Sequence, residues 1–181
     1  KTLSNEVDKQ AIQGSGSSNK PTGILNTSGI GSVAIGTNGG AFTWALAVET
    51  WKEVATDNAD IGALAWVTSP LAVSRLMATA KVGSSDSVMI MNDQNKLLGY
   101  NVFSTTNSPD TLTKGSSSGD CSALTFGNFN DLIVGEWGSL DISVDPYTNA
   151  AKGGTRIIGL YDVDVAVRHA ESFAAIQDNN A

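Results

Sequence analysis

The chain has 181 residues and is 41% hydrophobic, which suits one domain, or one with a subdomain, and supplies a sizeable core. With 18 acidic against 11 basic residues its net charge is −7 and no Lys/Arg cluster occurs, which argues against nucleic-acid binding through a basic face. No apolar run approaches the length of a membrane span.

Leu3, Val7 and Ala11 recur at spacing four with Ile12 alongside, so residues 2–13 read as a helix or the last turns of one. Gly14-Ser15-Gly16-Ser17-Ser18-Asn19 stops it, and Lys20-Pro21-Thr22-Gly23 reads as a turn. These glycines lack the strand, Gly-Lys-Ser/Thr and helix order that a phosphate-cradling loop needs. Residues 24–35 suggest a strand or an irregular crossing, and Asn38-Gly39-Gly40 marks a turn. From Thr43 a helix is expected with Trp44, Ala47, Val48, Trp51, Val54 and Ala55 on one face. Both tryptophans keep helical register, which makes them core anchors rather than a ligand platform. Asp57-Asn58-Ala59-Asp60 ends that helix.

The next stretch is the organising unit. Residues 63–67 are a short apolar run between Gly62 and Thr68-Ser69-Pro70, as expected of a strand buried on both faces. Ser69 stands where a helix N-cap belongs and Pro70 fits the first helical position. Val73, Leu76, Met77 and Ala80 then form an apolar stripe. A strand feeding a capped helix in this way suits an α+β chain with a mixed sheet and covering helices.

Beyond it, residues 84–86 read as a loop, 88–91 as a short strand, 92–95 as another loop, and 97–103 as a strand containing Gly99. Asn107-Ser108-Pro109-Asp110 is a turn, and residues 114–119 form a loop of small polar residues. Residues 123–129 and 132–135 suggest two short strands meeting at a tight corner. Leu140, Ile142 and Val144 alternate with Asp141, Ser143 and Asp145, a strand with one solvated face. After a loop at 146–154, residues 155–168 read as a long strand whose parity flips near Tyr161-Asp162. That flip signals a bulge, or a strand leaving one sheet for another. Phe173-Ala174-Ala175-Ile176 is a final strand before a polar tail.

Reactive groups are few. The single histidine, His169, has Glu171 and Ser172 beside it in sequence, but a Ser-His-acid site draws its members from separate elements. One histidine and one cysteine make no zinc constellation. Asp141 with Asp145, and Asp162 with Asp164, could in chemical terms bind calcium or act as acid and base. No loop with calcium-ligand spacing surrounds them, so they read as solvated strand faces. Cys121 has no histidine partner in view, cannot form an internal disulfide, and suits a reducing compartment. No signal-peptide pattern opens the sequence, and its start at Lys1 reads as a processed chain or a piece of a longer frame. The expectation is a scaffold with no catalytic, cofactor-binding or metal-binding residue.

From Pro21 onward the order of pieces resembles the major capsid protein of tailed bacteriophages, the Hong Kong 97 fold. Gly14-Ser15-Gly16 through Pro21-Thr22-Gly23-Ile24-Leu25 resembles the turn after that family's spine helix. Ala65-Trp66-Val67 with Pro70 and Leu76 is similar to its central strand and helix. Leu97-Leu98-Gly99-Tyr100-Asn101-Val102 follows its Leu-Leu-Gly-x-Pro-Val pattern, with Asn101 in place of the proline. Gly119-Asp120, Phe126-Gly127-Asn128-Phe129 and Ile133-Val134-Gly135 resemble its Phe-Gly-Asp-Phe segment and sequel. Residues 156–167 and Phe173-Ala174-Ala175-Ile176 resemble its closing segments, with Asp162 or Asp164 as the acid.

The resemblance implies an axial domain at 24–136, peripheral-domain pieces at 1–23 and 137–161, and a return to the axial domain at 162–181. It implies a structural, non-enzymatic protein that assembles in the bacterial host cytoplasm, as hexamers and pentamers, into the icosahedral shell of a virion around double-stranded DNA. Scaffold, portal and protease proteins would be its partners, with no specific DNA recognition and no membrane. Some members crosslink their subunits, but Thr155 stands at the crosslinking asparagine and Asp162 near the acid, so no crosslinking residue carries over. The loops at 38–40, 84–86 and 114–118 are contact or symmetry-axis candidates. The rivals are a nanocompartment shell of the same fold with an enzyme cargo, and a hydrolase or carbohydrate-binding module using the strand aspartates.

Overall fold

The computed structural model describes residues 2–83, 88–91 and 94–180. Its helices are α1 (Thr2–Gln13), α2 (Trp44–Thr56) and α3 (Pro70–Ala78). Its strands are β1 (Gly31–Ser32), β2 (Leu64–Thr68), β3 (Lys96–Leu97), β4 (Tyr100–Ser104), β5 (Leu112–Lys114), β6 (Ser117–Asn128), β7 (Leu132–Asp145), β8 (Arg156–Val167) and β9 (Phe173–Asn179). Among the described residues, seven strands make one mixed sheet in the order β1-β9-β6-β2-β4-β3, with β5 paired to β6 off that path. Among the described residues β7 and β8 pair only with each other.

Strand register explains where the core sits. Trp66 lies opposite Phe126 and Val102, and Phe126 lies opposite Ala174, so one row of side chains crosses four strands. Thr68, Leu124 and Ile176 form the next row on the same face. α2 covers this face with Ala47 and Val54, and α3 with Ala72 and Leu76. Trp66 is fully buried, edge-on to Phe42 with ring centroids 6.3 Å apart and tilted over Phe126 at 4.7 Å. The opposite face carries a smaller cluster of Leu25, Ala123 and Ala175, against which Ile12 and Ile30 pack.

The helices start as their sequences dictate. Ser69 Oγ accepts from the Ala72 amide at 3.2 Å with Pro70 in the first turn, and Thr43 Oγ1 accepts from Leu46 at 3.4 Å. Trp44 and Trp51 pack at the margin of the core, as their register predicts, and Lys81 Nζ lies 3.8 Å over the Trp44 ring. The buried stripes are narrower than expected. Met77 and Val48 face outward, leaving Ala72 and Leu76 on α3 and Ala47, Thr50 and Val54 on α2 as the fully covered positions.

Four local readings are corrected. Residues 97–103 are a hairpin rather than one strand, because Leu98 (φ 53°) and Gly99 (φ 85°) both take the left-handed conformation that a tight two-residue hairpin requires. Residues 114–119 are not a loop; β5 turns through Gly115-Ser116 into β6, and Lys114 pairs with Ser117. Among the described residues, 88–91 form an isolated bridge, Met89 to Ala80, rather than a strand, with backbone bonds to the chain leaving α3: Lys81 donates to the Val88 carbonyl and Ile90 to that of Thr79. The expected loop at 84–86 lies outside the described residues.

The fourth correction concerns the long strands. Residues 132–135 and 140–145 belong to the single strand β7, and β8 pairs with it throughout instead of passing into the other sheet. Trp137 lies opposite Asp162 and Asp141 opposite Leu160, so β7 carries the extra residues of a bulge, with Gly138 at φ 84°. β8 itself carries no extra residue, so Ile158 and Leu160 stand on the face opposite Val163, Val165 and Val167.

Candidate functional site

Three surfaces carry the features that composition and fold leave unexplained: the ribbon of β7 and β8, its junction with the main sheet, and a loop corner at the end of β9. The ribbon exposes large apolar side chains. On one face of its far half Ile142 (59% exposed) and Val144 stand beside Ile157 (71%), since Ile142 pairs with Gly159 and Val144 with Ile157. Nearer the sheet Trp137 is 62% exposed and folds over Gly135, where its ring comes within 3.1 Å of a would-be Cβ. Among the described residues the far half of this two-stranded ribbon lacks the covering layer that ordinarily stabilises two strands. α1 covers part of it, with grooves on its two sides lined by Leu3, Val7, Leu140 and Tyr161, and by Leu3, Val7, Tyr161 and Val163. Hydrogen bonding to Glu136 pushes the Tyr161 phenol above its ordinary range.

At the junction both crossings between ribbon and sheet are single 3-10 turns, Phe129–Asp131 and Ala170–Ser172. Asp131 is buried between them. Its Oδ2 accepts from Ser172 Oγ at 2.8 Å and Asn128 Nδ2 at 2.9 Å, while its Oδ1 accepts from Arg168 Nε at 3.0 Å and from Nη2. Its backbone carbonyl also accepts from the Arg168 amide at 2.8 Å. The Ser172 hydroxyl foremost, then Arg168, holds the carboxyl below its usual range against the opposing effect of burial. Asn128 extends the cluster into the sheet, since its Oδ1 accepts from the Ala63 amide at 3.0 Å. The cluster was not legible as such in sequence. Its one signal is the run of side-chain amides and acid, Asn128, Asn130 and Asp131, at a corner between two apolar strands.

At the loop corner the 38–40 and 114–118 segments meet. Asn38 Oδ1 accepts from the Ser116 amide at 3.0 Å, and Asn180 Nδ2 donates to the Asn38 carbonyl at 2.9 Å and to Ser117 Oγ at 3.0 Å. Nearby, the buried Asp178 carboxylate accepts from the Ile35 amide at 3.0 Å. Two of the three candidate loops therefore form one hydrogen-bonded surface.

The residues weighed for chemistry fall in several places. His169 lines an open cleft with Asp131, Arg168, Glu171 and Ser172, but the Ser172 hydroxyl turns to Asp131. Asp145 closes the turn after β7, accepting from the amides of Tyr147 at 2.9 Å and Thr148 at 3.2 Å; the Thr148 hydroxyl, then these amides, holds its carboxyl low. Asp164 accepts from the Val165 amide at 2.8 Å, and Asp141 and Asp162 face Leu160 and Trp137 across the ribbon. Thr155 is exposed just before β8. Cys121 is buried, 3.5 Å from Ser117 Oγ. Among the described residues no group of His, Cys, Asp and Glu is placed to hold a metal.

The sequence matches the phage capsid family over residues 1–178. It is similar to the major capsid protein of Halomonas phage phiHAP-1, at 26% identity over 172 residues covering 93% of this chain and 25% of that protein. In fold it is similar to the capsid of a native GTA particle, with TM-score 0.70 and 19% identity over 97% of this chain and 61% of that one. It is also similar to the SrpI encapsulin of Synechococcus elongatus, with TM-score 0.56 and 14% identity over 99% of this chain and 62% of that one. The chain thus spans a quarter of the curated relative's length and about three fifths of the solved chains it resembles. The architecture is the Hong Kong 97 fold, and a family match running nearly end to end makes this chain a member of the phage capsid family.

Proposed function

We propose that this chain is the shell-forming portion of a phage major capsid protein, structural rather than catalytic, whose copies assemble as hexamers and pentamers into a closed icosahedral shell around double-stranded DNA. The observation that carries it is the family match across residues 1–178, on a fold whose ribbon leaves Ile142, Val144 and Ile157 more than half exposed. Closed symmetry multiplies modest contacts of this kind into a stable shell. Residues 24–136 and 162–181 would form the axial domain, and residues 1–23 and 137–161 the peripheral pieces, a division that crosses the β7–β8 ribbon near Trp137 and Asp162. The net charge of −7 suits an inner surface that leaves packaged DNA free to move. Scaffold, portal and protease proteins complete the assembly in the bacterial cytoplasm and the product is the virion.

The nanocompartment reading is second, favoured by the shared fold with an encapsulin at the lower TM-score of 0.56. The hydrolase reading lacks an assembled acid pair, since Asp145 caps a turn and Asp164 bonds its neighbour's amide.

The test is expression in the full-length frame, with sizing by light scattering and electron microscopy. Closed shells of uniform diameter enclosing nuclease-protected DNA are expected. Shells filled with an enzyme would favour the nanocompartment, and a monodisperse monomer or dimer would overturn the capsid reading.

A further inference from the structure

We propose that Asp131 is the latch of a hinge, formed by residues 128–132 and 168–173, about which the β7–β8 ribbon changes direction relative to the seven-stranded sheet. Strand pairing does not hold that direction, because among the described residues no ladder joins the ribbon to the sheet. The chain crosses between them twice, through the two 3-10 turns, and Asp131 ties the crossings to each other: it sits in the first and binds Arg168 and Ser172 on either side of the second. Asn128 gives the same latch a grip on the start of β2 through Ala63.

The surroundings suit a hinge better than a rigid joint. Arg168 is 59% exposed, so water reaches one side of the clasp and competes for it. The fixed point is apolar: Phe129 and Phe173 meet edge to face at 5.5 Å, and Gly127 runs so close to the second crossing that a Cβ there would lie 2.3 Å from the Ser172 carbonyl oxygen. A tight apolar pivot beside a partly exposed, hydrogen-bonded clasp is the arrangement that a hinge with a clasped and an open state needs. α1 reaches both bodies. Its end is fixed to the sheet side by Ile12 and by Gln13 Nε2 donating to the Asn107 carbonyl at 2.8 Å, whereas along the ribbon it is flanked by grooves on both sides.

The hinge is tested on this chain by itself, independently of whether it builds shells. Nitroxide labels at Ser143→Cys on β7 and Lys52→Cys on α2, both exposed, report the angle by pulsed dipolar EPR, with Cys121 too buried to react. The parent chain is expected to give one narrow distance. Asp131→Asn and Arg168→Ala should each give a second distance or at least double the width, with unchanged far-UV circular dichroism, and Arg168→Lys should restore the narrow distribution. If Asp131→Asn does not fold, the exposed Arg168→Ala variant carries the test. Distributions identical to the parent in the folded variants would overturn the latch, and so would failure of both variants to fold, since the cluster would then be folding core and not a clasp.

Discussion

Asp131 shows how one side chain sets a condition on the whole chain. A carboxylate removed from water is costly unless donors replace its hydration, and here Ser172, Asn128 and Arg168 do so. Its folded pKa lies below the ordinary carboxylate value of about 3.9, so the unfolded chain takes up the proton first. The clasp's contribution is therefore complete above that value and is lost as the pH falls through the lowered folded pKa. Urea unfolding should show this contribution constant from neutral pH down to about 5 and declining below about 4. Asp131→Asn should cost about 2 kcal/mol at pH 7 and flatten that decline. Arg168→Ala, removing a partly exposed partner, should cost under about 1 kcal/mol.

Elements differ in what holds them. The unit of β2 and α3 is anchored by Trp66 in the aromatic row and by the Ser69 cap. Trp66→Ala should cost about 3–5 kcal/mol through the cavity it leaves. Ser69→Ala should cost about 1 kcal/mol through the unsatisfied Ala72 amide. Thermal unfolding monitored by circular dichroism would rank the two. The ribbon depends instead on backbone geometry. Gly138 has φ 84° and open space around its would-be Cβ, so Gly138→Ala introduces strain without a clash, at about 1 kcal/mol. Hydrogen exchange should show the resulting loss of protection confined to β7 and β8, with the seven-stranded sheet unchanged.

At the scale of the molecule the far end of the ribbon's apolar face adds little to the chain's own stability. Ile142, Val144 and Ile157 are each more than half exposed. Replacing Ile142 and Ile157 by Lys together should change the unfolding free energy of this chain by no more than about 0.5 kcal/mol per site. In the full-length frame the same pair should abolish or sharply reduce shell formation, because the face would then carry charge into a buried contact. Light scattering reads both outcomes, and shells formed at parental yield would remove the ribbon face from the assembly contacts.

Local order was written in the sequence wherever a short-range physical rule decides it. Ser69-Pro70 opened α3, Thr43 opened α2, and the corner near residues 129–131 stood where the pattern of two apolar runs placed it. The ordered motifs from Pro21 onward were enough to indicate the family. The hairpin at Leu98-Gly99 was legible only in part, because a leucine in the left-handed region is a choice made by the strands on either side. The extent of the ribbon, the placing of its bulge on β7, and the gathering of Asn128, Asp131, Arg168 and Ser172 depend on residues up to 44 positions apart meeting at one corner. Sequence spacing and periodicity describe neighbours along a strand or helix. Which strands share a sheet, and which buried carboxylate finds its donors, is decided by the packed structure.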